Sequence, residues 1–439
     1  MPDSVHASWG RYPASRPAAV IRATDRHRAV PEAATPVLAY GNGRSYGDSC
    51  LNNGGTLVET RGLDRFIAFD PATGVLDCEA GVLLAEILAL VVPQGWFLPV
   101  TPGTQYVTVG GAIANDVHGK NHHVAGTFGR HVHELELRRT DGDCLHCSRQ
   151  LNADWFAATV GGLGLTGLVT RARIGLRRIE GPYMDVDTRR FDDLDTFLKL
   201  SAAADDDHEY TVAWTDCTAR GSAVGRGWFM QANHKPALGQ KPDPRRRGAP
   251  AFPFTTPVSM INRATLRPLN TLYFHRRWRS AWRDTQHYQP YFYPLDGIRH
   301  WNRAYGPTGF LQYQCVVPHA DARASITELL ERIAAAGAGS FLSVLKVFGD
   351  VPSPGLMSFP RPGVTLALDF PNRGRPTFEL LDALDGVVMA AGGGVYPAKD
   401  ARMSGAAFRQ YFPEWRHFSS YVDPGVSSSF WRRVMEEAQ

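Results

Sequence analysis

The chain has 439 residues, of which 44% are apolar and 21% charged, and its formal net charge is +4. This composition is that of a globular protein and excludes a chain that is disordered throughout. The small net charge gives no reason to expect nucleic acid as a partner. At roughly 100–200 residues per domain, the length predicts two or three domains.

No segment has the length and apolar character of a membrane span. The best apolar run, 80–92, is short and contains Glu86, so it is typical of a buried helix. Residues 1–19 lack the apolar stretch of a secretory signal. Six cysteines include one Cys-x-x-Cys, at Cys144 and Cys147, with no second pair to complete a zinc site. We expect reduced thiols and a protein that is cytoplasmic or peripheral at a membrane.

The first part of the chain combines short apolar strands with glycine-rich turns. Strands are predicted at 36–40, 56–60 and 74–80, and a helix at 82–92. This order has no repeated β-α-β unit, and no Gly-x-Gly-x-x-Gly turn opens a helix after the first strand. Both absences argue against a Rossmann domain.

The middle of the chain alternates predicted helices and strands. The helices are expected at 191–204, 322–336 and 377–391. Asp192 is the N-cap expected for the first of them, and Gly392 ends the last. The strands are expected at 210–214, 309–317, 340–348 and 364–370. Such a mixture indicates an α+β fold in which an antiparallel sheet carries helices on one side.

A first glycine-rich segment follows the strand predicted at 36–40. It reads Gly-Asn-Gly-Arg-Ser-Tyr-Gly-Asp over residues 41–48. Its three glycines let the backbone curl and present successive N–H groups to an anion, while Arg44 adds a charge and Ser45 a hydroxyl. From these residues alone, a pyrophosphate cradle and a tight loop between strands both stay open.

A second glycine-containing segment covers 101–123. Gly110 and Gly111 allow the backbone to approach a flat ligand closely. One turn then carries three histidines and a lysine: His118, Lys120, His122 and His123. Histidine is a common metal ligand, but this spacing fits no standard zinc pattern, and we predict no metal.

A third segment, Val-Gly-Gly-Leu-Gly-Leu-Thr-Gly-Leu-Val at 160–169, completes the set. Taken alone, it is a glycine-rich turn with a structural role. Three such segments within the first 170 residues suggest one extended cofactor that lies across several loops.

These three segments resemble the flavin-binding domain of the vanillyl-alcohol oxidase/p-cresol methylhydroxylase (PCMH-type) superfamily. Further stretches resemble the decaprenylphosphoryl-ribose 2′-oxidases within that superfamily. They lie at 43–48, 118–123, 301–314, 341–349, 368–371 and 396–400. The matches run in order from about residue 8 to residue 425, so the resemblance covers nearly the whole chain.

The resemblance implies a two-domain FAD-dependent oxidoreductase that oxidises a secondary sugar hydroxyl to a ketone by hydride transfer to flavin N5. The substrate it implies is the 2′-hydroxyl of a polyprenyl-phosphate ribose, in the first half of an epimerisation to the arabinose donor of cell-wall biosynthesis. A partner reductase would complete that epimerisation, and the electron acceptor, O2 or a quinone, stays open. The alternatives are a sugar, alditol or aldonolactone oxidase, a tailoring oxidase of a biosynthetic cluster, and a cofactor-binding subunit without turnover.

The resemblance also implies which parts of the chain form the FAD-binding domain and which form the substrate domain. Residues 1–180 would form the FAD-binding domain, 181–395 the substrate domain, and 396–439 a segment that returns to the FAD domain. The implied cofactor-binding residues are Gly41, Asn42, Gly43, Arg44, Ser45, Tyr46, Gly47, Gly103, Thr108, Val109, Gly110, Gly111, Asn115, Asp116, Val117, His118, Val169 and Tyr396. Many superfamily members attach FAD through a histidine where Arg44 stands here, so we expect non-covalent FAD, with His118 as the remaining attachment candidate.

Two residues carry the implied catalysis. The Lys399 ammonium would hold the substrate and stabilise negative charge near flavin N1 and C2=O, although a surface salt bridge with Asp400 is the alternative. Tyr46 is the second. The general base stays open between Tyr46, Lys399 and a water molecule.

The implied substrate-binding residues are Lys120, Trp214, Gln312, Gln314, Lys346 and Thr365. Two glutamines at i and i+2 on a strand share a face, which suits sugar hydroxyls, although a merely polar sheet face is the alternative. Thr365 and Ala367 stand where the mycobacterial member of the oxidase group that this chain resembles has Asn and Cys. These departures put the exact substrate in doubt more than the reaction type.

Charge is concentrated in one stretch. Residues 235–284 hold eleven Lys and Arg against two Asp, which gives +9, and Trp278 and Trp282 lie among them. We predict a basic loop over 235–285, a candidate mobile segment at the pocket mouth. Basic and aromatic residues together suit an anionic membrane surface or a lipid-linked phosphate. A solvated basic loop is the alternative, and nucleic acid is disfavoured because no binding motif accompanies the charge.

Overall fold

A computed structural model describes residues 6–204, 207–236 and 250–436 of the chain. Its strands are β1 (Ala19–Arg22), β2 (Val37–Tyr40), β3 (Thr56–Glu59), β4 (Phe66–Asp70), β5 (Val75–Glu79), β6 (Trp96–Phe97), β7 (Val132–Arg138), β8 (Cys144–Cys147), β9 (Leu168–Gly175), β10 (Arg177–Arg178), β11 (Tyr183–Phe191), β12 (Tyr210–Thr215), β13 (Gly227–Lys235), β14 (Ala281–His287), β15 (Phe310–Val317), β16 (Ser343–Phe348), β17 (Gly363–Pro371) and β18 (Gly394–Val395). Its α-helices are α1 (Leu84–Val91), α2 (Val109–Ala114), α3 (His122–Ala125), α4 (Ala153–Thr159), α5 (Leu194–Ala204), α6 (Arg263–Phe274), α7 (Tyr288–Phe292), α8 (Ala322–Ala336), α9 (Arg375–Ala390), α10 (Gly405–Tyr411), α11 (Trp415–Ser419) and α12 (Ser429–Glu436).

Two sheets dominate the part of the chain before β11. The strands β1, β3 and β2 form a small parallel sheet, and β4, β5, β9, β7 and β8 form an antiparallel sheet of five. Helix α1 buries Leu84, Ile87, Leu88 and Val91 in the core of the five-stranded sheet. The i, i+3, i+4, i+7 spacing of these residues gives the helix one apolar face.

The rest of the chain builds one antiparallel sheet of eight strands, in the order β14-β11-β13-β12-β16-β17-β15-β18. Helices α5, α8 and α9 pack against it, with Leu329, Leu330 and Ile333 of α8 fully buried. Mixed helix and strand with antiparallel sheets confirms the predicted α+β fold. The register places Gln312 opposite Asp369 and Lys346 opposite Thr365, so polar residues of β15, β16 and β17 lie side by side.

The C-terminal segment leaves the large sheet after β18 and contacts the small parallel sheet. Val426 forms a bridge with Val37 at the start of β2. Arg433 of α12 donates to Asp48 at 2.7 Å and to Asp400 at 3.1 Å. We retain the division at residues 180 and 395 as a proposal, since these contacts are compatible with it.

Two sequence expectations were wrong in detail. The helix expected at 191–204 begins at Leu194, because Phe191 is the last residue of β11 and pairs with Gly227. Asp193, not Asp192, accepts a hydrogen bond from the Thr196 N–H at 2.7 Å, as a residue before the first turn does.

The expected basic loop at 235–285 is only partly a loop. Residues 237–249, which include Lys241 and Arg245–Arg247, lie outside the described residues. The remainder contains helix α6 and the edge strand β14, which pairs with β11. Among the described residues, no helix is both long enough and apolar enough to cross a membrane.

Candidate active site

One large cavity, of about 980 Å3, lies between the glycine-rich segments and the eight-stranded sheet. Small-molecule sites span roughly 300–1,000 Å3, so this volume suits a large cofactor together with a second ligand. All three glycine-rich segments contribute to its wall, as do β12, β15, β16 and the turn after β18. The structure therefore brings together the segments that the sequence singled out.

The first glycine-rich loop connects β2 to the cavity wall. Gly41 lies so close to Thr108 that a Cβ would stand 2.5 Å from its Oγ1 atom. The Tyr46 N–H donates to the Ala398 carbonyl at 2.9 Å, which ties this loop to the segment that carries Lys399. Loop and C-terminal segment are thus held together at one end of the cavity.

The second segment enters the wall through helix α2. Thr108 is its N-cap and accepts a hydrogen bond from the Gly111 N–H at 3.1 Å. Gly110 and Gly111 line the cavity, where the lack of side chains leaves the backbone open to a ligand. The short helix begins here because the threonine satisfies one of its free N–H groups.

The expected flavin dinucleotide fits the polar atoms of this wall. Arg44 Nε, Ser49 Oγ and Asn115 Oδ1 are buried and lack a hydrogen-bond partner within the described protein. All three residues line the cavity, and buried polar groups are rarely left unpaired in folded proteins. A ligand with several acceptors and donors would satisfy them, as the phosphates and ring edges of FAD would.

Arg44 is positioned by aromatic rings. Its guanidinium carbon lies 4.2 Å from the centre of the Trp9 ring and 5.5 Å from that of Tyr106. Burial lowers the pKa of Arg44 while the charge of Asp296 opposes that effect, and the group stays a cation. A fixed cation within a glycine-rich loop on the cavity wall suits a pyrophosphate.

The histidines of the second segment do not converge on one point. His118 Nδ1 lies 3.1 Å from Lys346 Nζ, and its Nε2 lies 2.9 Å from Gln314 Nε2. His123 Nε2 bonds instead to the His208 carbonyl at 3.0 Å. His122 packs on Phe348, with ring centres 4.6 Å apart. Each histidine has a different environment, which is not the geometry of a shared metal ion.

Three lysines border the same end of the cavity: Lys120, Lys346 and Lys399. Burial lowers the pKa of Lys120 to about 8. Burial, followed by the charges of Lys120 and Lys399, holds the pKa of Lys346 well below its ordinary value. The charges of Lys120 and Lys399 thus both lower the pKa of Lys346, which places like charges close together at this end of the cavity, and an anionic ligand would relieve their repulsion.

Lys399 is held by a buried polar chain. Its Nζ donates to Gln312 Oε1, and Gln312 Nε2 donates to Asp369 Oδ1 at 2.7 Å. Tyr305 donates to the other carboxylate oxygen at 3.3 Å. Because an amide has one accepting and one donating end, Asp369 determines which end of Gln312 faces the lysine. The alternative salt bridge with Asp400 does not form, since Asp400 pairs with Arg433.

The protonation states of Lys399, Asp369 and Tyr46 follow from these buried hydrogen bonds. Burial lowers the pKa of Lys399 to about 8, and the charge of Asp369 opposes that shift. Burial raises the pKa of Asp369 to about 6. Lys399 Nζ also lies 4.4 Å from the centre of the Tyr46 ring, where a cation is favoured. Burial and the Asp369 charge raise the pKa of Tyr46, so its phenol stays protonated.

Most of the site residues implied by the sequence lie on the cavity wall. They are Gly41, Asn42, Gly43, Arg44, Ser45, Tyr46, Gly103, Thr108, Gly110, Gly111, Asn115, Val117, His118, Lys120, Val169, Trp214, Gln312, Gln314, Lys346, Tyr396 and Lys399. Gln312 and Gln314 both reach the wall from one face of β15, as their spacing predicts.

Four implied site residues lie behind the wall. Gly47 packs on the Asp400 backbone so tightly that a Cβ would overlap its carbonyl. Val109 is fully buried in the core. Asp116 accepts from the Gly129 N–H at 2.8 Å and from two serine hydroxyls. Thr365 Oγ1 accepts from Gln314 Nε2 at 3.1 Å, so it orients a wall residue and is not itself on the wall.

The sequence did not single out several residues of this site. Asp369 and Tyr305 lie within segments that carried the resemblance, but only the strand register shows that Asp369 faces Gln312. Trp9 and Tyr106 are found only through their contact with Arg44. Tyr273, Arg276, Arg277 and Trp282 of the basic stretch also line the cavity.

Comparisons with known proteins match this architecture. A family model described as an FAD binding domain matches residues 18–148. Decaprenylphosphoryl-beta-D-ribose oxidase of Mycolicibacterium smegmatis is 36% identical over 96% of this chain and 93% of its own length. An uncharacterized protein of the mprA 5′ region of Streptomyces coelicolor is 36% identical over 78% of this chain and 96% of its own length. Cytokinin dehydrogenase 7 of Oryza sativa is 30% identical over 42% of this chain and 38% of its own length.

Proposed function

This chain belongs to the family of FAD-dependent oxidoreductases that includes decaprenylphosphoryl-beta-D-ribose oxidase, and on that premise we propose that it oxidises the 2′-hydroxyl of a polyprenyl-phosphate ribose to a ketone. This choice of substrate rests on one observation: Lys120, Lys346 and Lys399 line the same end of the cavity as two glutamines. A phosphate would complement the lysines, and sugar hydroxyls would complement the amides of the glutamines.

FAD, when bound, supplies the hydride acceptor, and the residues of this chain supply orientation and charge. We propose that Arg44 and the loop N–H groups hold its pyrophosphate, with Gly110 and Gly111 admitting the cofactor close to the backbone. Lys399 is the cation that holds the substrate and stabilises negative charge near the flavin pyrimidine. Lys346 and Lys120 would bind the substrate phosphate, and Gln312 and Gln314 the ribose.

The three candidates for the general base are not equal in this geometry. A raised pKa keeps Tyr46 protonated, so it serves as a hydrogen-bond donor. Lys399 is favoured as an ammonium by the Gln312 oxygen, the Tyr46 ring and the Asp369 carboxylate. We therefore assign the hydroxyl proton to a water molecule. A keto-sugar product leaves a second reaction, a reduction, to a partner enzyme.

An anaerobic titration followed by absorbance tests this substrate. Farnesylphosphoryl-β-D-ribose is expected to bleach the flavin stoichiometrically, and reduction of the ketone product with borodeuteride should place deuterium on the 2′ carbon. Free alditols and aldonolactones should leave the flavin oxidised. Bleaching by the free sugars alone would reject the polyprenyl-phosphate substrate in favour of an alditol or aldonolactone oxidase.

The flavin is expected to be non-covalent. Arg44 cannot form the bond that a histidine forms at this place, and His118 is engaged by Lys346 and Gln314. Precipitation of the yellow protein with acid should therefore release all of its flavin into the supernatant. Flavin fluorescence that stays with the protein band on a denaturing gel would contradict this, and loss of that band in His118→Ala would locate the attachment.

Gly103→Ala tests the assignment of the cavity to FAD. A Cβ at Gly103 meets no protein atom within 4 Å, so the apoprotein should be as stable as before. A methyl group in the space assigned to the cofactor should weaken FAD binding roughly tenfold, since overpacking costs about 1–3 kcal/mol. The measurement is a fluorescence titration of apoprotein with FAD.

Gly386→Ala is the matched control for this change. A Cβ at Gly386 also meets no atom within 4 Å, but the residue lies in α9, away from the cavity wall. Its FAD affinity should equal that of the unmodified chain. Equal FAD affinity in both variants would show that the cofactor does not lie against Gly103.

A further inference from the structure

An exposed apolar surface surrounds helix α6. Of the fourteen large apolar side chains that stand exposed among the described residues, eight lie between 254 and 298, about a tenth of the chain. Phe254 is 64% exposed, Val258 72%, Leu272 66% and Trp278 100%. Apolar side chains scattered singly over a surface need no explanation, but a concentration of this kind marks an interaction site.

Helix α6 presents its apolar residues in two directions. Leu266 and Phe274 point inward and are buried. Leu269 and Leu272, at i and i+3, share another face that is exposed, and Tyr273 lies beside them with its ring against Trp214. A helix that needs only one apolar face to pack on the protein here carries a second one toward the outside.

The same surface is basic. Arg263, Arg267, Arg276, Arg277 and Arg279 are all exposed, while Asp284 is the one acidic residue between 250 and 284. Arg267 and Arg279 form no ion pair with the described residues. We call this surface, which comprises residues 254–279, the mouth surface.

The mouth surface adjoins the cavity. Tyr273, Arg276 and Arg277 line the cavity wall, and Arg276 lies 4.0 Å from the centre of the Tyr273 ring. Leu272 and Trp278, next to these residues in the chain, do not line the cavity. A partner that contacts Leu272 and Trp278 would therefore lie beside the cavity wall.

We propose that the mouth surface docks the protein on an anionic lipid bilayer, with Leu272 and Trp278 inserted at the headgroup level and the arginines contacting lipid phosphates. Exposed apolar residues interleaved with arginines and nearly free of acids complement such a surface in both polarity and charge. Delivery of a polyprenyl-phosphate sugar through this contact rests on the proposed function, but the docking itself requires no turnover.

Vesicle co-sedimentation of the FAD-loaded chain tests the proposal. Vesicles of phosphatidylcholine with about 30% phosphatidylglycerol should bind the protein, whereas pure phosphatidylcholine should bind it at least tenfold more weakly. Leu272→Ser with Trp278→Ser, and separately Arg267→Glu with Arg279→Glu, should each lower binding at least tenfold. None of these four residues lines the cavity, so FAD content and reduction by farnesylphosphoryl-ribose without vesicles should be unchanged.

Matched controls lie elsewhere on the chain. Leu151 is an apolar residue that is 56% exposed, and the Arg28 side chain is 83% exposed. Leu151→Ser and Arg28→Glu should leave vesicle binding unchanged. The proposal would be overturned if the control variants lost vesicle binding equally, or if the unmodified chain did not bind vesicles. It would also be overturned if the unmodified chain were a dimer that the Leu272→Ser, Trp278→Ser variant converts to a monomer. If the protein binds vesicles but no polyprenyl-phosphate sugar reduces its flavin, the membrane-docking proposal stands and the proposed substrate is rejected.

Discussion

Lys399→Met is expected to slow flavin reduction by farnesylphosphoryl-ribose roughly a thousandfold, the upper effect of removing one preorganised electrostatic group. The Nζ atom donates to Gln312 Oε1 and lies 4.4 Å from the centre of the Tyr46 ring, so no other group can take its place without rearrangement. Methionine keeps an unbranched side chain of similar shape but removes the ammonium group, with both its charge and its hydrogen bond to Gln312. Anaerobic stopped-flow absorbance gives the limiting rate of reduction directly.

Lys346→Met is the matched comparison, because it also removes a lysine from the cavity wall. Its Nζ contacts His118 Nδ1 and donates to the Gly119 carbonyl at 3.2 Å, on the side assigned to the phosphate. The change should raise KM about tenfold or more with a smaller effect on kcat, since uniform binding is lost. FAD content and thermal stability should be retained in both variants. A Lys399→Met enzyme that keeps kcat and raises only KM would contradict a role in the chemical step.

Apolar periodicity, together with the glycines that end them, located the long helices that pack on the large sheet. The interval 322–336 was predicted because Ile326, Leu329, Leu330 and Ile333 repeat at helical spacing, and α8 has these bounds. Gly337 follows it with φ of 62°, a left-handed conformation that suits glycine and ends the helix. Such a helix can be predicted from local sequence because the residues of its apolar face and the glycine that ends it lie within the same short segment.

Some boundaries and elements that the local pattern leaves ambiguous were not predicted. β11 continues directly toward α5, so the apolar Phe191 could belong to either, and only its pairing with Gly227 decides for the strand. Helix α6 contains Pro268 and an outward apolar face, which together conceal its amphipathic pattern. The site residues differ in the same way. The spacing of two residues on one strand predicted that Gln312 and Gln314 share a face. Asp369 is found beside Gln312 only through the register of β15 on β17.

Asp369→Asn is expected to change the pH dependence of flavin reduction as well as its rate. With Lys399 required as an ammonium, activity falls as pH rises through its pKa of about 8. With Asp369 required as a carboxylate to orient Gln312, activity falls as pH drops through its pKa of about 6. The unmodified enzyme should therefore show a bell-shaped profile between these values. Asparagine cannot ionise, so the acid limb should disappear.

The alkaline limb gives the sharper test. The charge of Asp369 raises the pKa of Lys399 against burial, so its removal should move that limb to lower pH. Asp296 is the control, a half-buried carboxyl of the cavity wall whose charge acts on Arg44 instead. Asp296→Asn should leave the alkaline limb in place. A structural defect would lower the rate at every pH alike and would not move the alkaline limb. If the Asp369→Asn enzyme keeps its full FAD content and its alkaline limb stays in place, the Asp369 carboxylate is not the group that keeps Lys399 charged.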